Sequence, residues 1–307
     1  MKLSFVIPCY RSEKTIRKVV DEIITTVEKI NIQDYEIVLT NDCSPDKVWD
    51  EIKKIAAENS KVKGISFAKN FGQHAALLAG YSQTTGDLIV SLDDDGQTPI
   101  DELGLLLKEI EKGYDVVYAY YEEIKQTAFR RFGSFMATKM AEVMLGSPKG
   151  LKGSSFYVAK KFIIDEMIKY DNPYPYLPGL ILRATRNISS VMTHHRPRWE
   201  GKSGYSFKRL LGLWINGFTA FSVKPLEIGV YTGGFVAFIG FVFALVTIIR
   251  KISAPSITAG WASIISVMLI LGGLILVMLG LIGEYIGRIY ICLNKSPQYV
   301  IKDKTNN

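Results

Sequence analysis

The chain has 307 residues, of which 48% are hydrophobic and 22% charged, with a formal net charge of +7 and a mean hydropathy of +0.14. A chain this apolar buries enough surface to offset the entropy of ordering, which excludes a disordered protein, and its length suits one large domain with a small appendage. The positive charge contains no dense Lys/Arg run, so nucleic acid is set aside in favour of anionic headgroups and phosphorylated substrates.

The N-terminus, MKLSFVIPCYRSE, has only a short apolar stretch at Leu3–Pro8 and no small-residue cleavage site. It reads as a buried strand and not as a secretory signal. Further strand-like runs lie at Glu36–Asn41, Lys63–Phe67, Asp87–Leu92 and Asp115–Ala119. Helical patterns separate them at about Glu13–Ile30, Val48–Asn59, Gln73–Thr84 and Ile100–Lys112. Strand–helix alternation at this spacing predicts an α/β fold built on a parallel sheet, and runs that are apolar throughout predict helices on both faces.

Two amphipathic stretches follow. Ala128–Leu145 interleaves Phe129, Phe132, Phe135, Met136, Met140 and Met144 with Arg130, Arg131 and Lys139. Ser206–Ser222 places Phe207, Leu210, Leu211, Trp214, Phe218 and Phe221 at helical spacing. Such segments lie in a membrane interface or pack on the core, and the sequence leaves both open. Beyond them, Ile228–Ile249 is a run of 22 uncharged residues and Ile252–Gly283 a run of 32. A span needs about 20 apolar residues, so two spans are expected, at Ile228–Ile249 and about Trp261–Gly283, with Pro255, Ser256 and Thr258 in the connecting loop. Lys208, Arg209 and Lys224 precede the first, Arg288, Lys295, Lys302 and Lys304 follow the second, and only Arg250 and Lys251 lie between. That asymmetry predicts a multi-pass protein of the cell membrane with both termini cytoplasmic. Cys9, Cys43 and Cys292 have no metal-like spacing and read as small hydrophobes.

Sheets of this kind bind ligands beyond the carboxyl ends of their strands, and the polar residues collect there: Pro8–Cys9–Tyr10, then Asn41–Asp42–Cys43–Ser44, Lys69–Asn70 and Asp93–Asp94–Asp95. Neither G-x-G-x-x-G nor G-x-x-x-x-G-K-[ST] occurs, which speaks against a dinucleotide site or a P-loop. Three adjacent carboxylates repel one another unless a cation or solvent compensates. At the end of a strand, beside Asp42 and Tyr10, they suit a hard divalent ion on a diphosphate; a solvated acidic turn before a helix is the plainer alternative.

The runs V6-I-P-C-Y-R-S-E13, N41-D-C-S-P-D46, K69-N-F-G-Q-H-A-A-L-L-A-G80 and S91-L-D-D-D-G-Q-T-P99 together resemble family-2 glycosyltransferases. Within that family the chain is similar to polyprenyl-phosphate sugar transferases, whose bacterial forms end in two membrane helices. The resemblance implies a nucleotide-sugar-binding, Rossmann-like GT-A domain and a donor site of Pro8, Tyr10, Glu13, Asp42, Lys69, Asp93 and Asp94. It implies that Asp93, Asp95 and Gln97 hold Mg²⁺ or Mn²⁺, with Asp93 and Asp95 the outer residues of a D-x-D motif. For the acceptor phosphate it implies Arg130 or Arg131 with Ser134 one turn on, and Arg198 and Ser203, with Gly201 and Tyr205, in the loop before the membrane segment. Arg130, Arg131 and Arg198 thus join Asp93 and Asp95 as catalytic candidates. Headgroup binding by Arg130 or Arg131, and an ordinary surface charge at Arg198, are the competing readings; His194 and His195 are weaker candidates.

Two departures from the family pattern stand out. Ser154–Ser155–Phe156–Tyr157 replaces a frequent Gly-Asp-Phe-Arg, and Tyr120 and Tyr121 replace arginines that often follow the fifth strand. The first leaves a carried-over carboxylate base in doubt. A phosphate monoester has a second pKa of about 6 and is already an anionic nucleophile at neutral pH, so the chemistry does not require one.

The expected division is a cytoplasmic catalytic domain over 1–205, a juxtamembrane amphipathic helix over 206–226, a two-helix transmembrane hairpin over 227–285 and a cytoplasmic tail over 286–307. The expected reaction is inverting, metal-dependent transfer of one sugar from a nucleotide donor, UDP-linked in this reading, to undecaprenyl phosphate. A processive polysaccharide synthase is the second reading, with His195-Arg196-Pro197-Arg198-Trp199 as a variant of Q-x-x-R-W; a non-catalytic membrane scaffold is the third. Neither the sugar nor the oligomeric state is fixed, although Gly272–Gly273 and Gly280 offer small faces for helix packing.

Overall fold

Leu3–Cys9 has no apolar–polar alternation and is buried along its whole length, as expected of a strand covered on both faces. It forms β1, the centre of the sheet in a computed structural model that describes residues 1–121, 139, 141–173, 175–194, 196, 199, 224–253 and 260–305. Around it the first half of the chain alternates as its hydrophobic pattern predicts: α1 (Ile16–Lys29), β2 (Tyr35–Asn41), α2 (Val48–Glu58), β3 (Val62–Phe67), α3 (Gln73–Tyr81), β4 (Leu88–Ser91), a 3₁₀ turn at Ile100–Glu102 and α4 (Leu103–Ile110). There follow β5 (Val116–Tyr121), β6 (Tyr157–Lys160), α5 (Lys161–Met167), α6 (Leu177–Ala184) and β7 (Ile188–Thr193). Later come α7 (Lys224–Ser253), α8 (Trp261–Leu293) and β8 (Ile301–Lys304).

Among the described residues the strands form one eight-stranded sheet in the order β7-β5-β6-β4-β1-β2-β3-β8. The sheet is mixed and not purely parallel, which corrects the sequence expectation. Strands β1, β2, β3 and β4 pair parallel, as do β5 and β7, whereas β6 runs antiparallel between β4 and β5 and β8 antiparallel against β3. Both reversed strands are four residues long, too short to announce a direction in sequence. Strand β8 reads IKDK, a charged edge strand without an apolar run, of the kind that protects a sheet margin.

One face of β1 (Leu3, Phe5, Ile7, Cys9) packs in a single buried cluster with Ile16, Val19, Ile23 and Val27 of α1, Ile52 and Ile55 of α2, and Leu103 and Leu106 of α4. The other face receives α3, whose Ala76 and Ala79 pack with Ile65 and Phe67 of β3. The register Cys9↔Asn41 and Val6↔Ser91 brings the carboxyl ends of β1, β2 and β4 to one edge of the sheet.

The chain divides into two compact units, Met1–Trp214 with Ser296–Asn307, and Ile215–Lys295. The last segment therefore returns to the first unit. There Ala68 N donates to Val300 O (2.9 Å), Trp49 Nε1 to Asp303 Oδ2 (3.1 Å) and Gly64 N to Thr305 Oγ1 (2.7 Å), while Tyr299 stacks on Phe67 with centroids 5.4 Å apart.

In the second unit, one helix among the described residues is long and apolar enough to cross a membrane: Ile270–Leu293 within α8, 24 residues of mean hydropathy 2.0. This stretch extends past the expected end at Gly283 and includes Glu284 and Arg288, which pair one turn apart (2.7 Å). The other expected span, Ile228–Ile249, lies within α7, where the apolar stretch among the described residues is Leu226–Val242. Helix α7 approaches α8 at Gly229, where an added Cβ would lie 2.2 Å from Met278 Cε; at Gly272, Gly273 and Gly280 nothing lies within 4 Å.

Glu36 on β2 is the buried charge that locks the base of the sheet. Its Oε1 accepts from Ser4 Oγ (2.7 Å), Thr85 N (2.6 Å) and Thr85 Oγ1 (2.8 Å), and Oε2 from Lys63 Nζ (2.8 Å). Burial pushes its pKa up, but the bonds from Lys63, Ser4 and Thr85 outweigh that and bring it down to about 2. A carboxyl whose folded pKa lies below its unfolded value stabilises the fold above the unfolded pKa and loses that contribution as the pH falls towards the folded one. The full-length protein in detergent should therefore lose about 3 kcal/mol of stability from this group between about pH 5 and pH 2. In Glu36→Gln that part of the acid-side fall in melting temperature should be absent, with lower stability at pH 7; an unchanged acid limb would contradict the assignment.

Candidate active site

The strand order reverses between β1 and β4: β2 and β3 lie on one side of β1, and β4 starts the other side. Such a switch point leaves a crevice at the carboxyl ends, which is where open α/β sheets bind ligands. Tyr10 follows β1 at this crevice and is 44% exposed. Arg11 then takes a left-handed conformation (φ 60°), its backbone N–H donating to Ser44 Oγ at 2.7 Å and its guanidinium 5.5 Å from the Tyr10 ring centroid. Ser44 Oγ donates to Asp46 Oδ1 (2.6 Å), and Asp46 Oδ2 accepts from Glu13 N (3.0 Å). Glu13 itself, exposed, accepts from Lys47 N at 3.3 Å. The loops after β1 and β2 are thus stitched together.

Asp42, just past β2, is buried, and burial raises its pKa against the lowering effect of two backbone donors, Phe71 N to Oδ1 (2.7 Å) and Gly72 N to Oδ2 (2.9 Å). Its carboxylate therefore shapes the loop that carries Lys69. Lys69 is exposed, with Nζ 4.9 Å from the Phe71 ring centroid.

The three aspartates after β4 part company. Asp94 accepts from Tyr10 N at 3.0 Å, which ties the ends of β1 and β4 together. Burial raises its pKa to about 7, hydrogen bonds from Ser12 and Tyr10 N oppose the rise, and the charges of Asp93 and Asp95 add to it. Asp93 accepts from Gln73 Nε2 (2.7 Å) on Oδ1 and from Ser155 Oγ on Oδ2. Asp95 Oδ1 accepts from Gln97 N at 3.0 Å. Gly96, at φ +75°, must be glycine for a second reason: a Cβ there would lie 2.2 Å from Trp199 Cδ2. Trp199 N donates to Asp95 O (3.3 Å), and Gln97 Nε2 donates to Arg196 O (3.5 Å). Arg196 pairs with Glu22 and with Asp101 Oδ1 (2.6 Å).

Of the residues expected from sequence, Pro8, Tyr10, Glu13, Asp42, Lys69, Asp93, Asp94, Asp95 and Gln97 all fall at the carboxyl edge of the central strands. Arg130, Arg131, Ser134, Arg198 and Ser203, and with them Gly201, Tyr205 and His195, lie outside the described residues. His194 pairs with Glu102 through its ring and its backbone N–H (3.0 Å), which gives it a holding role. Sequence reasoning did not find the partners of Asp93, because Gln73 and Ser155 stand 20 and 62 residues away and are neutral. Nor did it single out the seat of Trp199 on Gly96, although a Gly after three aspartates hints at a positive-φ turn.

A family model described as "Glycosyl transferase family 2" matches residues 4–166, and one described as "GtrB C-terminal hairpin" matches residues 224–289. The chain belongs to glycosyl transferase family 2. It is a glycosyltransferase. Over 304 residues, 98% of this chain and 93% of the relative, it is 32% identical to an undecaprenyl-phosphate 4-deoxy-4-formamido-L-arabinose transferase of Enterobacter sp. (strain 638), and 31% identical to that of Yersinia pestis (strain Pestoides F). The fold is similar to glucosyl-3-phosphoglycerate synthase from Mycobacterium tuberculosis, solved with Mn²⁺ and UDP-glucose (TM-score 0.52, 18% identity, 71% of this chain and 77% of that one). It is also similar to mannosyl-3-phosphoglycerate synthase from Rubrobacter xylanophilus (TM-score 0.53, 17% identity, 70% and 71%).

The donor set of this glycosyltransferase suits a hard divalent ion, since Asp93 and Asp95 offer only oxygens. Among the described residues no three His, Cys, Asp or Glu side chains converge on one point.

The raised pKa of Asp94 has a measurable consequence. An acid whose folded pKa is raised loses stability as the pH rises from its unfolded value through the folded one. In metal-free buffer with EDTA, Asp94→Asn should melt above the wild type at pH 8 and lose that advantage by pH 5, because the amide still accepts from Tyr10 N without carrying charge. Equal melting temperatures at pH 8 would place Asp94 in a solvated environment instead.

Proposed function

We propose that this glycosyltransferase moves a single sugar from a nucleotide-sugar, UDP-linked in our reading, to a polyprenyl phosphate at the cytoplasmic face of the cell membrane, with inversion at the anomeric carbon. The observation that carries the proposal is the acidic turn Asp93–Asp95 at the β1/β4 switch point, facing the same crevice as Tyr10 and Asp42. The acceptor is supported by the relatives named for undecaprenyl phosphate, which align over 98% of the chain, by the hairpin model at 224–289 and by the apolar helix Ile270–Leu293. In this reading residues 1–205 are the catalytic domain, 206–226 a juxtamembrane helix and 227–285 a two-helix hairpin that leaves both termini cytoplasmic.

The chain's own residues then have distinct tasks. Tyr10 presents an exposed ring to the base, and Asp42 fixes the 69–72 loop that carries Lys69 towards the diphosphate. Asp93 and Asp95, with Gln97, would hold Mg²⁺ or Mn²⁺. Such an ion, when bound, neutralises charge that develops on the departing nucleoside diphosphate. An acceptor phosphate oxygen forms the bond to the anomeric carbon from the face opposite the diphosphate, as the bond from that carbon to the diphosphate oxygen breaks with its electron pair. The acceptor is already anionic at neutral pH, since its second pKa is about 6, so the task is to hold two anions in line, which Arg130 or Arg131 with Ser134, and Arg198 with Ser203, are suited to do by charge-assisted hydrogen bonds.

Full-length protein in detergent with Mn²⁺ or Mg²⁺, undecaprenyl phosphate and a panel of UDP-sugars should give a lipid carrying one sugar. Asp95→Asn should lower kcat/KM by at least about a hundredfold. A panel in which the polyprenyl phosphate is never consumed, or an Asp95→Asn protein as active as wild type, would overturn the proposal; a ladder of products would mark a processive enzyme.

A further inference from the structure

Asp93 is gripped from two directions. Gln73, the first residue of α3, donates Nε2 to Oδ1 at 2.7 Å, and Ser155, two residues before β6, donates Oγ to Oδ2. These donors reach the carboxylate from different parts of the fold: α3 packs on β1 and β2, whereas β6 is the antiparallel strand inserted between β4 and β5. The Ser155 side is itself braced. Neighbouring Ser154 donates Oγ to Ala119 O of β5 at 2.8 Å and hydrogen-bonds the half-buried Tyr121 hydroxyl, and Phe156 N donates to Ser154 Oγ at 3.2 Å. Gln73 follows directly on the 69–72 loop, which Asp42 holds through Phe71 N and Gly72 N.

A carboxylate has two oxygens and about four lone-pair sites. One donor on each oxygen therefore sets the plane of the Asp93 carboxylate. Neutral donors matter here, because a Lys or Arg in their place would cancel the charge that attracts a cation. Donors of this kind to a ligating carboxylate are worth roughly ten- to a hundredfold in metal affinity elsewhere.

We propose that Ser155 and Gln73 are positioning residues, which fix the Asp93 carboxylate before the donor arrives so that it meets a cation-bound diphosphate without reorganisation. This rests on the donor reading above and adds to it two residues outside the acidic turn.

The test measures free Mn²⁺ by electron paramagnetic resonance as full-length protein in detergent is titrated with MnCl₂ at saturating UDP, with melting temperature in EDTA as the companion readout. Ser155→Ala and Gln73→Ala should each weaken Mn²⁺ binding by about tenfold, with melting in EDTA close to wild type. Ser155→Thr, which keeps the hydroxyl, should bind within about twofold of wild type. Wild-type affinity in both alanine variants would overturn the positioning role, as would a loss in Ser155→Ala that Ser155→Thr does not restore. Wild-type protein that binds no Mn²⁺ with UDP would instead overturn the proposed function, and this inference with it.

Discussion

The hydrogen bond from Tyr10 N to the Asp94 carboxylate is the contact on which the rest of the site depends. It closes β1 against β4 at the place where the strand order reverses, so the crevice has a fixed floor. It also resolves an electrostatic problem. Three consecutive carboxylates in one turn repel one another, and the fold gives each its own donors: Tyr10 N to Asp94, Gln73 Nε2 and Ser155 Oγ to Asp93, and Gln97 N to Asp95.

Each flanking aspartate is then held by a different part of the chain. Asp93 takes its partners from α3 and from the segment before β6, and Asp95 from the Gln97 backbone and, through its carbonyl, from Trp199. Strand β6 brings Ser155 to the acidic turn, Arg196 is held between Glu22 and Asp101, and Trp199 N bonds the Asp95 carbonyl. At the far edge of the sheet, β8 and Tyr299 pack against β3 and Phe67 and reach the base of the 69–72 loop through Ala68. A chain segment that lies beyond the apolar helix α8 in sequence thus supports the 69–72 side of the crevice.

Much of this was legible in the amino-acid order. The apolar runs at Leu3–Pro8 and Asp87–Leu92 gave strands within a residue or two of their observed ends, because a strand buried on both faces leaves a dense local signal. The helix breaks were equally local, at Gly72 before α3 and at Pro99 before the 3₁₀ turn. Strands β6 and β8 were not legible, since four residues carry little pattern and IKDK none that is apolar. The second apolar helix was found at its observed start, Trp261, but runs ten residues past the expected end, because counting uncharged residues stops at Glu284 whereas the helix carries Glu284 paired with Arg288 on to Leu293.

The sequence by itself determined the α/β class, the clustering of Tyr10, Asp42 and the three aspartates at strand ends, and the apolar segment, because each is written in neighbouring residues and in a period of two or of 3.6. Only the tertiary structure decided that Asp94 accepts from Tyr10 N, that Gln73 and Ser155 share Asp93, that Trp199 rests on Gly96 and that the tail completes the sheet edge. Those contacts join residues from 20 to more than 200 positions apart, and no local pattern encodes a partner that far away: it is selected by burial, by the register of the strands and by the requirement that every buried polar group find a bond.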